Sequence, residues 1–206
     1  MKRQYKSGLR VATAFVGVAA IALAPVAASA AANSANTTVN AVIASVISIT
    51  TGSTVTLNIT PVSGGAQTSA SDTVTVSTNK SNGYNLAIKD ADATLTLTNG
   101  VNTIAASSNT FAAGAALANN TWGWAVADTT TGIGANNFDT TYSVLTNVAS
   151  SSTTWTGITA SDQVFKTTAT NALNDTTTVW YSAKADTSKP NGTYADTVTY
   201  TATTNL

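Results

Sequence analysis

The sequence predicts an all-β protein, an antiparallel β-sandwich of roughly eight to ten short strands. Three observations carry that prediction. Apolar and polar residues alternate with period two along most of the chain, the pattern of half-buried strands. Turn chemistry rich in Gly, Asn and Pro separates the runs, and no stretch shows a helical apolar stripe. Composition agrees. Of 206 residues only 9% are charged, 43% are hydrophobic and none is cysteine. Threonine fills outward positions such as Thr54/Thr56, Thr73/Thr75, Thr94/Thr96/Thr98 and Thr197/Thr199/Thr201. Its β-branched side chain suits a strand, and its hydroxyl keeps an exposed face wet without charge.

Residues 1–30 read as a secretory signal peptide. Lys2, Arg3, Lys6 and Arg10 form a basic start, residues 11–24 are apolar, Pro25 interrupts them, and Ala28-Ser29-Ala30 is a cleavage site. The alternative is an uncleaved anchor, because the apolar stretch is nearly long enough to span a bilayer. Residues 31–38 are expected to form a flexible leader, and residues 39–206 a single β-sandwich domain large enough for a real core. Beyond residue 30 the chain holds five Lys and nine Asp, a net charge of −4, and no Arg. Such a surface has no basic patch to neutralise phosphates, which excludes nucleic acid and an anionic membrane as partners. An exported chain without cysteine relies on packing and sheet hydrogen bonds rather than disulfides.

The elements follow in order. Residues 39–50 are apolar on both faces and are expected to be the first strand of this sandwich; the alternative is a donor strand that completes a neighbouring subunit. Val55, Leu57 and Ile59 alternate into a second strand that Pro61 and Gly64-Gly65 end. A hairpin is expected over residues 72–89, turning at Lys80-Ser81-Asn82-Gly83. Residues 94–98 form a strand closed by Asn99-Gly100, and residues 105–120 a loop. Trp122 and Trp124 share one face of a strand over residues 122–126, and residues 127–140 form a long loop. Shorter strands are expected at Tyr142 and Val144, at residues 155–158 and at Val164-Phe165. The chain closes on a second hairpin over residues 179–203, turning at Lys189-Pro190-Asn191-Gly192. The two turn regions share a Lys-x-Asn-Gly pattern, and Asp72-Thr-Val-Thr-Val parallels Asp196-Thr-Val-Thr-Tyr.

Chemistry is constrained by subtraction. After residue 30 there is no His, Cys, Glu or Arg. That removes Ser-His-Asp and Cys-His nucleophile systems and His- or Cys-ligated zinc. Asp90 and Asp92 are the only close carboxylate pair, expected at a solvated strand end, with a weak Ca²⁺ site as the alternative. The chain therefore reads as a non-enzyme with no cofactor and no metal. Trp122 and Trp124 read as sandwich core, or else as a platform for sugar rings.

Two segments carry a family resemblance. Gly83-Tyr84-Asn85-Leu86, and the terminal run from Gly192-Thr193-Tyr194 to Tyr200-Thr201-Ala202, resemble the WxL family of bacterial surface proteins. There a Trp-x-Leu follows a glycine in mid-domain, and a second lies on a strand near the C-terminus. Here the two become Tyr84-x-Leu86 and Tyr200-x-Ala202, so both Trp are replaced. The resemblance implies non-covalent attachment to cell-wall peptidoglycan, with Tyr84, Leu86 and Tyr200 as binding residues. The functional expectation is a secreted, extracellular bacterial cell-surface structural or adhesive protein. Its partner would be a cell-wall polymer, another surface glycan, or itself in an assembly, with no membrane contact once the leader is cleaved. The alternatives are a pilin-like fibre subunit donating residues 39–50, and a small carbohydrate-binding module using Trp122 and Trp124.

Overall fold

The computed structural model describes residues 32–92, 94–126 and 154–206. The signal peptide and the expected strands at Tyr142 and Val144 lie outside the described residues. The chain divides into Met1–Val42 and Ile43–Leu206. Within the first unit, residues 32–42 form no strand and are exposed. The described part of the second unit is all β, with nine strands in two sheets and no helix.

The strands are β1 (Ile47–Thr50), β2 (Ala66–Thr78), β3 (Tyr84–Asp90), β4 (Thr96–Asn99), β5 (Asn102–Ala106), β6 (Thr121–Val126), β7 (Gln163–Thr167), β8 (Ala172–Ala185) and β9 (Val198–Thr204). One sheet has the order β1-β2-β8-β6-β5-β4 and the other β7-β3-β9. The sandwich expectation holds, with two departures. β2 and β8 run to 13 and 14 residues, so not all strands are short. The β5–β6 pair is parallel. β2 begins before its apolar alternation does, because its polar first half pairs residue for residue with β8, from Ala66 opposite Ala185 to Asp72 opposite Val179.

The inward faces share one core. Val74 and Val76 of β2, Trp122 and Trp124 of β6, and Val179, Tyr181 and Ala183 of β8 join Tyr84, Leu86 and Ile88 of β3 and Phe165 of β7. Trp124 meets Phe165 edge-on at 5.4 Å between ring centroids, a favourable aromatic geometry. Its indole Nε1 donates to the carbonyl of Gly157 at 3.3 Å. Residues 155–158 form no strand of their own: Thr156 bridges Trp124 of β6, and Trp155 bridges Ala115 in the preceding loop.

Both expected long hairpins are instead crossings between sheets. β2 lies in the larger sheet and β3 in the smaller; β8 lies in the larger and β9 in the smaller. The first turn forms where the sequence places it; in the second the hydrogen-bonded turn comes earlier, with the Lys189 amide donating to the Asp186 carbonyl at 3.2 Å, and Asn191-Gly192 only bends the chain. Gly83 takes φ +77°, its amide donates to the Lys80 carbonyl at 3.0 Å, and an added Cβ would lie 2.4 Å from the Thr168 carbonyl oxygen. Only glycine suits that place. Turn chemistry sets the reversal but not which strand becomes the neighbour. The hairpin that does form joins β4 to β5, with Asn99 opposite Asn102 around Gly100 at φ +60°.

Residues 39–46 do not extend the first strand. β1 pairs from Ile47 opposite Thr78 to Thr50 opposite Thr75, and β2 ends at Thr78, so earlier residues have no partner strand. The Asn79 side chain extends the pairing slightly, accepting from the Val46 amide at 2.9 Å and donating to the Ala44 carbonyl at 2.8 Å. The alternation expected at Val55, Leu57 and Ile59 is present, each partly buried against the core. Yet residues 53–61 make no hydrogen bond to any described residue, so the segment is a strand without a ladder.

A polar network crosses the sheets inside this apolar layer. Lys166 on β7 has no exposed surface; its Nζ lies 2.8 Å from Asp175 Oδ1 and 3.1 Å from Thr177 Oγ1, both on β8. The Tyr84 hydroxyl on β3 donates to Asp175 Oδ2 at 2.8 Å, and the ammonium sits 6.0 Å from the Tyr84 ring centre. A buried charge without its partner is far more costly than the pair. Asp175→Ala should therefore lower stability by about 3 kcal/mol, the low end for a broken buried pair because the aspartate is partly open to solvent. The triple replacement Tyr84→Phe, Lys166→Met and Asp175→Leu should recover most of that loss. Urea unfolding of the three proteins measures both effects.

Candidate functional site

Four of the five residues with binding expectations lie in the core: Tyr84, Leu86 and Trp124 at 0% exposure and Trp122 at 2%. They pack rather than present a surface. Tyr200 is partly buried, and its hydroxyl pairs closely with that of Tyr181. Burial raises the pKa of both phenols, and proximity to Tyr181 raises that of Tyr200 further, so both stay neutral hydrogen-bonding groups. The two segments that carry the WxL resemblance do come together. β3 and β9 pair with Leu86 opposite Ala202 and Ile88 opposite Tyr200. The indoles of Trp122 and Trp124, buried as they are, offer no platform to a sugar ring.

The same pairing builds a carboxylate cluster. Asp90 ends β3 opposite Val198 at the start of β9, which brings Asp196 beside it. Oxygens of Asp90, Asp92 and Asp196 lie within 4.8 Å of one another. Of the expected solvated pair, Asp92 is exposed, but Asp90 is buried at 2% exposure. Backbone amides hold the geometry: Asp92 donates to Asp90 Oδ1 at 2.8 Å, Thr94 to Asp92 Oδ1 at 2.8 Å, and Thr197 to Asp196 Oδ1 at 2.7 Å. The amide and hydroxyl of Thr94 hold the Asp92 pKa below its ordinary value. Burial, then the neighbouring Asp90 and Asp92 carboxyls, push that of Asp196 up to about 6 against the opposing Thr197 amide. The cluster can hold a proton under mildly acidic conditions. Three carboxylate oxygens supply only part of the six to eight that Ca²⁺ takes.

An open groove of about 830 Å³ runs beside the larger sheet. Residues 51–61 and 189–198 form its sides, and Leu97, Ile104, Trp122, Tyr181 and Ala183 line it from the larger sheet. The Trp122 Nε1 has no hydrogen-bond partner among the described residues. Asp72 fixes one end of the groove, accepting from the Thr51 hydroxyl and, at 2.9 Å, from the Gly52 amide.

Sequence reasoning missed Lys166, Asp175, Asp196 and the groove. A signal existed for the first: Lys166 follows Phe165 in a strand otherwise made of apolar and small polar residues, with a carboxylate nine positions on. No signal marked Asp196 as a neighbour of Asp90, because their proximity depends on the β3–β9 pairing. No family model, curated protein or solved structure matches the chain.

The Asp196 shift makes stability depend on pH. A carboxyl whose folded pKa is raised binds its proton more tightly in the native state than in the unfolded chain. Its contribution is complete below the ordinary value of 3.8 and is lost as pH rises through about 6. The melting temperature should fall across that window, and Asp196→Asn should flatten the fall. Calorimetry of both proteins at closely spaced pH values tests it.

Proposed function

We propose that this chain is a secreted structural or adhesive protein of the bacterial cell surface, held non-covalently and without a catalytic role. The observation that best supports this reading is the outer face of β1, β2 and β8. There Thr50 stands opposite Thr75, Thr75 opposite Thr176, and Thr73 opposite Thr178. Ser48 stands opposite Ser77, whose hydroxyl donates to Asn174 Oδ1 at 3.2 Å and accepts from the Asn174 amide at 2.9 Å. Rows of hydroxyl and amide groups without charge suit contact with neutral polysaccharide, and cross-strand Thr pairs add to sheet stability. The aromatic residues that a pocket-type sugar module would display are spent on the core. The leader and the WxL-like layout are consistent with export to the wall, with β3 and β9 serving as scaffold rather than contact surface.

Fractionation of the producing cells and co-sedimentation of purified chain with peptidoglycan test the reading together. The expected result is protease-accessible protein at the cell surface that pellets with peptidoglycan. Replacing Thr73, Thr75, Thr176 and Thr178 by Lys should weaken pelleting several-fold without unfolding the protein. Retention inside the cell overturns the proposal.

A further inference from the structure

We propose that residues 37–43 of one copy add as a β-strand along residues 54–60 of a second copy, filling its groove and linking subunits head to tail. The inference rests on the surface-protein reading and names the partner: another copy of the same chain.

The acceptor is an extended segment with one of its requirements unmet. Val55, Leu57 and Ile59 pack on the core while Thr54, Thr56 and Asn58 face solvent. That is strand patterning, and a strand's backbone groups call for partners. Residues 54–60 have none among the described residues. Beside them runs the groove, lined by apolar side chains of the larger sheet, including Leu97, Ile104 and Trp122.

The donor has the complementary deficiency. Val39, Val42 and Ile43 are 88%, 94% and 84% exposed, large β-branched residues uncovered in water within one short segment. Such clusters mark contact surfaces. In an extended conformation Val39, Ala41 and Ile43 share a face, and Thr38, Asn40 and Val42 share the other. The first face matches the apolar groove. No residue from 31 to 46 is charged, so the donor brings no ion into the groove. Residues 37–43 and 54–60 are equal in length, which suits a full ladder. Asn79 ties Ala44 and Val46 to the end of β2, fixing the point at which the donor leaves its own subunit.

A second copy is the occupant because donor and acceptor occur once each in every chain. Pairing them between chains is a heterologous contact, which propagates into a filament or closes into a ring. Strand addition of this kind draws affinity from main-chain hydrogen bonds and specificity from alternate side chains.

The absence of cysteine allows a clean test on the full chain. One tagged preparation carries Val42→Cys and a differently tagged one Asn58→Cys; they are mixed and treated with a short bismaleimide. The expected product is a covalent heterodimer bearing both tags, reduced several-fold by excess synthetic peptide of residues 32–46. Leu173→Cys, exposed on β8, should give none with Val42→Cys. Untreated chain should sediment as oligomers, and a chain lacking residues 32–43 as monomers. If that deletion fails to fold, the peptide's block of cross-linking still decides the matter. Cross-linking only within a chain carrying both cysteines overturns the proposal, as does a monomer without heterodimer. A monomer that still pellets with peptidoglycan sinks strand addition and spares the surface reading. Cross-linked oligomers from protein retained inside the cell support strand addition while sinking the surface reading.

Discussion

Lys166 places an ammonium group with no solvent contact between two sheets, and Asp175 and Thr177 of the facing sheet receive it. Few arrangements constrain a sandwich so tightly. A displacement of either sheet along the other would separate the pair and leave a charge in the apolar layer, a loss that is a large share of a typical protein's stability. Tyr84 completes the contact from β3 and is held there by the Gly83 turn. The network ties β7 and β3 of the smaller sheet to β8 of the larger. The aromatic contacts around Trp124 supply more burial but less direction, because apolar packing tolerates small shifts that an ion pair does not.

The two crossings explain why so much of the surface chemistry converges. β2 leads to β3 and β8 leads to β9, each time passing from the larger sheet to the smaller across a Lys-x-Asn-Gly sequence. The two arrivals, β3 and β9, then pair with each other. The segments that resemble each other nonetheless lie in different sheets, Asp72–Val76 on β2 of the larger and Asp196–Tyr200 leading into β9 of the smaller. The parallel extends to detail. Asp72 and Asp196 each accept, at 2.7 Å, from the amide of the threonine that follows. Asp72 closes one end of the groove, while Asp196 joins the acidic cluster.

The groove is the place where the fold is incomplete. Residues 54–61 have the side-chain pattern of a strand and the apolar contacts of one, but no ladder. Apolar burial holds the segment on the core without backbone pairing, an arrangement that leaves donors and acceptors available to another strand. The same chain carries an exposed apolar segment, residues 37–43, before β1.

By itself the sequence determined the class of fold, the inward-facing residues of most strands, the positions of the turns and the near-absence of charge, because all of these are local. Period-two alternation over Val179, Tyr181 and Ala183 names a buried face whatever lies opposite, and Asn-Gly bends the chain whatever it joins. Local patterns also correctly separated Trp122 and Trp124 from the Thr-rich faces. Tertiary structure alone decided which strands pair, since a turn of the same chemistry serves a hairpin at Gly100 and a crossing at Gly83. It decided that Tyr84 and Leu86 are core, that Lys166 meets Asp175, and that Asp196 meets Asp90. Each depends on residues far apart in the chain brought together by strand pairing or by the packing of the two sheets, where sequence spacing carries no distance. The length of β1 was settled in the same way, by where β2 ends rather than by the apolar run of residues 39–50: a strand extends only as far as its partner does.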